Sequence, residues 1–138
     1  MAKNKPPVPV CMAFLTFRTM AFDPNREEDV FFGLPRAYWT RNYPSAFPLS
    51  FLIRCTSAHG DYSVEVQMQN SEGEVAWKDG PAILWPMHDP LEMYDLKINA
   101  NVVFPAPGIY QFVLVLNREE VSRQRFHAKV AEVPTQNS

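Results

Sequence analysis

Alternation of apolar and polar positions predicts short β-strands through much of the chain. The clearest case runs from Tyr62 to Gln69, where every second residue is apolar. Successive side chains of a strand point to opposite faces, so this pattern predicts one face on a core and one face in water. The same period recurs over Phe47–Cys55 and Tyr94–Phe104. Together these segments indicate an all-β chain.

A different kind of strand is predicted inside the run Phe104–Val130. Ile109–Leu116 is apolar at every position but Gln111, which predicts a strand covered on both faces. A Pro-Gly corner precedes it, where Gly108 allows the bend and the Tyr110 hydroxyl is expected to find a backbone partner. A polar turn and a returning strand follow. A strand covered on both faces needs a second layer, so the pattern predicts two packed sheets.

The remaining segments complete an all-β fold prediction. Turn residues bound further strands at Val8–Phe17, Val30–Gly33, Glu74–Lys78 and Ala82–Met87, and the polar break Asp23–Asp29 is interpreted as a turn rather than a helical turn. We predict one antiparallel Greek-key β-sandwich, immunoglobulin-like or jelly-roll-like, with about eight to nine short strands over residues 1–138. A closed barrel is the structural alternative. Residues 1–7 are predicted to be an extended lead-in and residues 134–138 a polar tail.

Composition narrows the class of protein. The chain has 13 prolines against 5 glycines, which favours strand ends and extended connections over helices. Its formal net charge of −2 gives no long-range attraction for nucleic acid. No segment approaches the roughly 20 apolar residues of a membrane span. The apolar run near the start is short and lacks the small-residue cleavage site of a secretory signal, so we predict a cytoplasmic location.

Two groups of side chains have simple structural interpretations. Along the returning strand, Arg123 and Arg125 share a face with His127 and Lys129, which predicts a solvated strand face rather than a phosphate-binding stripe. The two cysteines, Cys11 and Cys55, fall in predicted strands and are interpreted as buried reduced thiols. An inter-sheet disulfide is the alternative. Alternation along the first strand places Cys11 on the face opposite Met12 and Phe14.

No pattern predicts catalysis. His59, His88 and His127 lie too far apart in sequence to match a metal-ligand motif, and His59 and His88 are interpreted as turn residues beside aspartates. The chain has no G-x-S-x-G nucleophile motif and no phosphate-binding glycine loop. Carboxylate pairs for glycoside hydrolysis meet only in the fold, but Glu65, Glu72, Glu74 and Asp79 lie on predicted solvent faces and loops, so a hydrolase is the least favoured alternative. We predict no enzyme activity, no cofactor and no metal.

An aromatic, proline-bounded insert at Pro35–Pro48 is the strongest candidate for binding. Tyr, Trp and Arg side chains are typical of the centres of protein interfaces. Rings that merely cover an edge of the sandwich are the structural alternative. A stacking platform for sugars is a further one. The candidate binding residues are Arg36, Tyr38, Trp39, Arg41, Tyr43 and, outside the insert, Trp85.

Three features together resemble a known family. They are the early apolar strand, the central hairpin with the turn NSEGEV, and the segment FPAPGIYQFVLVLNREEV. In this combination the chain resembles a bacterial family of small, functionally uncharacterised β-sandwich proteins. The resemblance covers nearly the whole chain and implies the fold, with no catalytic residue to carry over. The chain departs from it in the longer insert around Tyr38 to Pro48.

The sequence therefore predicts a bacterial interaction or structural module without catalysis of its own. It is expected to act through self-association or a protein partner, with no nucleic acid and no membrane. A small-ligand or carbohydrate-binding β-sandwich that uses exposed Tyr and Trp rings is the alternative function.

Overall fold

The computed structural model describes residues 5–131, and every regular element in that range is a strand. The predicted all-β class is confirmed. Residues 1–4 of the predicted lead-in and the predicted polar tail, 134–138, lie outside the described residues. The strands are β1 (Val10–Phe17), β2 (Thr19–Asp23), β3 (Glu28–Phe32), β4 (Ala37–Thr40), β5 (Ser45–Thr56), β6 (Gly60–Gln69), β7 (Val75–Lys78), β8 (Ile83–Met87), β9 (Tyr94–Phe104), β10 (Gly108–Leu116) and β11 (Glu119–Val130).

The strands form two large sheets and one small ribbon. The smaller sheet has the order β1-β5-β9. The larger sheet has the order β4-β11-β10-β6-β7, and β8 pairs with the other end of β6. Neighbours are antiparallel except β4, which runs parallel to β11. The sheets are therefore antiparallel and mixed, whereas the sequence predicted antiparallel pairing alone.

The two sheets pack through their apolar inner faces. The Phe51 ring of the smaller sheet meets the Phe112 ring of the larger sheet edge-on, with centroids 5.0 Å apart. Phe104 and Phe126 stack across the same interface at 5.5 Å. Side chains from both sheets form one buried cluster. Apolar burial on this scale is the main stabilising term of the fold.

The central strand β10 is covered less evenly than the sequence predicts. Its inner side chains, including Phe112 and Leu114, are fully buried. On its outer face Val113 is also buried, but Ile109 is 47% exposed. In register, Val113 lies between Arg123 and Gln67, so long side chains of β11 and β6 flank it. The smaller sheet therefore covers the inner face of β10, whereas the aliphatic parts of long side chains on β11 and β6 cover only part of its outer face.

A ribbon of two strands replaces the single polar break that the sequence predicts. β2 and β3 pair antiparallel and are joined by a turn at residues 24–27, which confirms a turn there. The Phe31 ring packs edge-on against Phe17 at 4.9 Å, and Asp29 pairs with Lys97 at 3.0 Å. The ribbon thus lies on the outer face of the smaller sheet. β3 overlaps the predicted strand Val30–Gly33, whereas β2 and β4 were not predicted and raise the strand count above eight or nine.

The Pro-Gly corner behaves as the sequence predicts. The Tyr110 hydroxyl donates a hydrogen bond to the Ala106 carbonyl oxygen at 2.6 Å, and the side chain is 4% exposed. We expect Tyr110→Phe to lower the free energy of unfolding by about 1 kcal/mol, because the ring still packs but the carbonyl loses its donor. Urea denaturation measures this difference. An unchanged midpoint would show that the hydrogen bond contributes nothing to the corner.

Candidate binding face

Two of the candidate tyrosines anchor the insert to the rest of the fold. The Tyr38 hydroxyl lies 2.7 Å from Ser45 Oγ, and its ring stacks on Phe47 at 4.4 Å. The Tyr43 hydroxyl donates to the Lys129 carbonyl oxygen at 2.6 Å. Both rings are half-buried. Their contacts fit the structural alternative, in which rings hold the insert against the sandwich.

The two candidate tryptophans lie in opposite environments. Trp85 is 7% exposed, on the inner face of β8. Trp39 is 58% exposed, on the outer face of β4. The indole of Trp39 is therefore accessible to a partner, whereas that of Trp85 belongs to the core. The described residues do not bring several of the candidate rings together on one exposed surface.

The two candidate arginines flank β4. Arg36 precedes the strand and Arg41 follows it, and both are exposed. The Arg36 carbonyl oxygen accepts a hydrogen bond from the His127 backbone N–H at 3.0 Å, which continues the parallel pairing of β4 with β11. Of the six candidates, the structure thus places Arg36, Trp39 and Arg41 along one edge of the larger sheet.

Next to this edge, the outer side of β11 carries a column of basic side chains. We call the outward side chains of Arg123, Arg125, His127 and Lys129, together with Trp39, the basic face. The predicted solvated strand face is confirmed, because both arginines are exposed and His127 and Lys129 are partly exposed. Lys129 Nζ lies 4.6 Å from the Trp39 ring centroid, a cation–π contact that joins the column to β4.

The two arginines of the basic face differ in their contacts. Arg123 bonds both carboxylate oxygens of Glu120 and the Gln111 side chain. Arg125 has no carboxylate partner within residues 5–131. In register, Gln111 lies opposite Arg125 on β10, and Gln69 lies beyond it on β6. The Arg125 guanidinium therefore shares the outer surface of three neighbouring strands with two amide side chains.

A shallow cavity of about 320 Å³ lies beside Arg125. Gln69, Gln111, Arg123 and Arg125 line it together with the β6–β7 turn. The sequence-based candidates came from the insert, so Gln69 and Gln111 were not identified as neighbours of Arg125. One feature of the sequence pointed to Gln111, because it is the polar position in an otherwise apolar strand. Guanidinium and amide groups on one surface can bind carboxylates through several hydrogen bonds.

The histidine turns form a separate, exposed polar cluster. His88 Nε2 lies 2.9 Å from Asp61 Oδ1, and His59 Nδ1 lies 2.7 Å from the His88 carbonyl oxygen. These bonds agree with the interpretation of His59 and His88 as turn residues. Within residues 5–131 there is no group of three or more His, Cys, Asp or Glu side chains that could hold a metal ion.

The cysteines correct two sequence-based expectations. Cys55 is fully buried, but Cys11 is only half-buried, and both are free thiols. They lie on adjacent strands of the smaller sheet, directly opposite each other, so a disulfide between them would not join the two sheets. Cys11 also packs against the same core as Phe14, and Met12 is 56% exposed, so the prediction that Cys11 lies on the face opposite Phe14 is wrong.

Over the described range, the structure contains no helix that is long and apolar enough to cross a membrane.

Comparison with known proteins gives little further information. No protein-family model and no curated protein matches the sequence. The fold is similar to the alkylpurine DNA glycosylase AlkC of Pseudomonas fluorescens, at 13% identity over 68% of this chain, with a TM-score of 0.48. It is also similar to a beta-glucosidase of Listeria innocua, at 10% identity over 85% of this chain, with a TM-score of 0.46. The chain spans 27% and 16% of those two proteins, and similarities of this size carry no argument about function.

Proposed function

We propose that the chain is a non-catalytic interaction module that binds an acidic segment of a partner protein on its basic face. The observation that carries this proposal is the exposed guanidinium of Arg125, which has no carboxylate partner among residues 5–131 and lies in a column of basic side chains beside the exposed Trp39. The whole chain carries a net charge of −2, yet the column places Arg123, Arg125 and Lys129 on one face. Such a face complements a negatively charged partner surface.

The spacing of the column favours an extended acidic segment. Alternate residues of a strand are about 6.6–6.8 Å apart, so the four basic side chains form a regular row. An extended peptide has the same period, and acidic residues at every second position would lie opposite this row. Arginine binds carboxylates through two parallel hydrogen bonds, which gives orientation as well as affinity. Trp39 at the edge of the row adds a large, rigid contact.

A protein partner is supported better than a carbohydrate. Carbohydrate binding on stacked rings needs several exposed aromatic side chains, and Trp39 is the most exposed aromatic of the proposed candidates. The combination of Trp and Arg is typical of protein interfaces. Self-association falls within the same proposal, with a second copy of the chain as the partner protein.

Binding to a synthetic peptide of alternating glutamate and threonine tests the proposal. We expect Arg125→Glu to weaken binding at least about tenfold, or about 1.4 kcal/mol, because it replaces an exposed guanidinium with a carboxylate that repels the acidic peptide. Fluorescence anisotropy of the labelled peptide measures the affinity. Raising the salt concentration should also weaken binding.

Arg26→Glu is the matched control, since Arg26 lies in the exposed turn of the ribbon and the charge change is identical. An equal loss in both variants would mean that only net charge matters. Equal binding of an alternating glutamine–threonine peptide would likewise contradict the proposal. Light scattering of the chain alone reports whether a second copy is the partner.

We also infer that the sandwich belongs to the Greek-key class. Non-consecutive strands lie side by side in both sheets, with β5 between β1 and β9 and with β10 beside β6. Such an order requires connections that cross from one sheet to the other, as Greek-key sandwiches have.

A further inference from the structure

Cys11 and Cys55 form a directly opposed pair of thiols on two neighbouring strands. The register of β1 against β5 sets Cys11 opposite Cys55, and both side chains face the space between the two sheets. Cys55 is 0% exposed, whereas Cys11 lies on the edge strand and is half-buried. The pair therefore has one accessible thiol and one protected thiol.

A β-bulge in β1 creates this opposition. The register shifts between Cys11 and Ala13, so that Met12 is the extra residue and points outward. Without the shift, Cys11 would lie opposite Thr56, and its three-residue separation from the buried Phe14 would place it on the other face of the sheet. Bulges on edge strands re-aim side chains in this way.

The backbone geometry of the pair is compatible with a disulfide. Directly opposed residues of antiparallel strands have Cα atoms about 4.5 or 5.5 Å apart, and disulfides join Cα atoms about 4.4–6.8 Å apart. The register of β1 against β5 thus sets the two cysteines within the Cα separation that a disulfide spans.

The two thiols differ in acidity as well as in access. A hydrogen bond from the Cys55 thiol lowers the pKa of Cys11 to about 7, although burial acts in the opposite direction. The same hydrogen bond, followed by burial, raises the pKa of Cys55. Because the thiolate is the nucleophile in disulfide exchange, Cys11 is the thiol that reacts first.

We propose that Cys11 and Cys55 form a thiol–disulfide exchange site that takes small organic disulfides of the glutathione type. The Cys11 thiolate attacks one sulfur of the small disulfide, whose S–S bond breaks, and the first thiolate leaves and is protonated. Cys55 then attacks Cys11 Sγ and loses its proton, and the second thiolate leaves with that proton. Two electrons pass from the protein thiols to the small disulfide, which yields two small thiols and one Cys11–Cys55 disulfide.

Intact-mass measurement after incubation with oxidised glutathione tests the proposal. The folded chain is expected to lose two hydrogen masses, retain no glutathione, and recover its original mass with dithiothreitol. Peptide mapping should place the new bond between Cys11 and Cys55. No reaction, a persistent glutathione adduct on the wild-type chain, or a disulfide between two chains would each overturn the proposal.

Two variants separate the roles of the thiols. Cys55→Ala should keep one glutathione on Cys11, because no second thiol can displace it. Cys11→Ser should not react while folded, because Cys55 is inaccessible; a reaction at the wild-type rate would overturn the order of attack.

The pH dependence of the reaction tests the activation of Cys11. In the wild-type chain the rate of reaction with oxidised glutathione should rise with pH through about 7. In Cys55→Ala this rise should move to higher pH, and an unchanged profile would show that Cys55 does not activate Cys11. Circular dichroism confirms that the variants are folded.

Discussion

Phe112→Ala is expected to lower the free energy of unfolding by about 3–5 kcal/mol. Phe112 is fully buried, and its ring contacts Phe51 of the opposite sheet at 5.0 Å and Phe126 of its own sheet at 5.4 Å. Removing the ring loses its transfer free energy and leaves a cavity between two sheets that can close only partly. For a domain of ordinary stability, this is a large fraction of the total.

Ile109→Ala on the same strand is the matched control. Ile109 is 47% exposed on the outer face of β10, so its loss should change the free energy of unfolding by no more than about 1 kcal/mol. Urea denaturation of both variants compares the two faces of one strand. If both variants lost the same free energy of unfolding, the core would not lie on only one side of β10.

Substitution of the two candidate tryptophans by alanine is expected to have opposite effects. Trp85→Ala should lower the free energy of unfolding by about 3–5 kcal/mol, because the ring is almost fully buried in the core. Trp39→Ala should change stability by about 0.5 kcal/mol or less, because the ring is 58% exposed. Its effect should appear in binding, where loss of an exposed interface Trp costs about 2 kcal/mol or more.

Denaturation and peptide anisotropy on the same two variants separate these roles. The alternating glutamate–threonine peptide should bind folded Trp85→Ala with the wild-type affinity and Trp39→Ala more weakly. If Trp39→Ala binds as the wild-type chain does, the aromatic edge has no part in the proposed function. If Trp85→Ala is as stable as the wild type, Trp85 does not belong to the core.

The strands with clean alternation were predictable from the sequence, and β6 is the best example. Its every second residue is apolar, and the structure buries those residues while their neighbours stay exposed or partly exposed. Only the apolar set of alternate residues can face the core, so the sequence shows which face of the strand is buried. β5 and β9 were predicted for the same reason; the bounds of β9 agree with the prediction, and those of β5 differ by one or two residues at each end.

The first strand shows where such reasoning stops. Both phases of β1 are largely apolar, so the pattern did not reveal which residues face the core or that Met12 is an extra residue. A bulge depends on the pairing of β1 with β5, which is a property of the tertiary structure. The opposition of Cys11 and Cys55 was hidden for this reason.

The candidate site was predicted only in part, for a related reason. The alternation of basic residues along β11 was visible in the sequence, and Trp39 was named there as a candidate, which the structure places on an exposed surface. The roles of Tyr38 and Tyr43 were not visible, because their hydroxyls bond groups that lie 7 and 86 residues away in sequence. The parallel pairing that brings Trp39 beside Lys129 is likewise a long-range contact.

Nuclear magnetic resonance of the isotopically labelled chain, titrated with the alternating glutamate–threonine peptide, tests the proposed binding face most directly. Binding on the basic face is expected to change the chemical shifts of the amides of residues 123–129, 109–111 and 37–39. It is expected to change none along β1, β5 and β9 of the smaller sheet. Shift changes confined to the smaller sheet or the ribbon, or no changes at peptide excess, would contradict it.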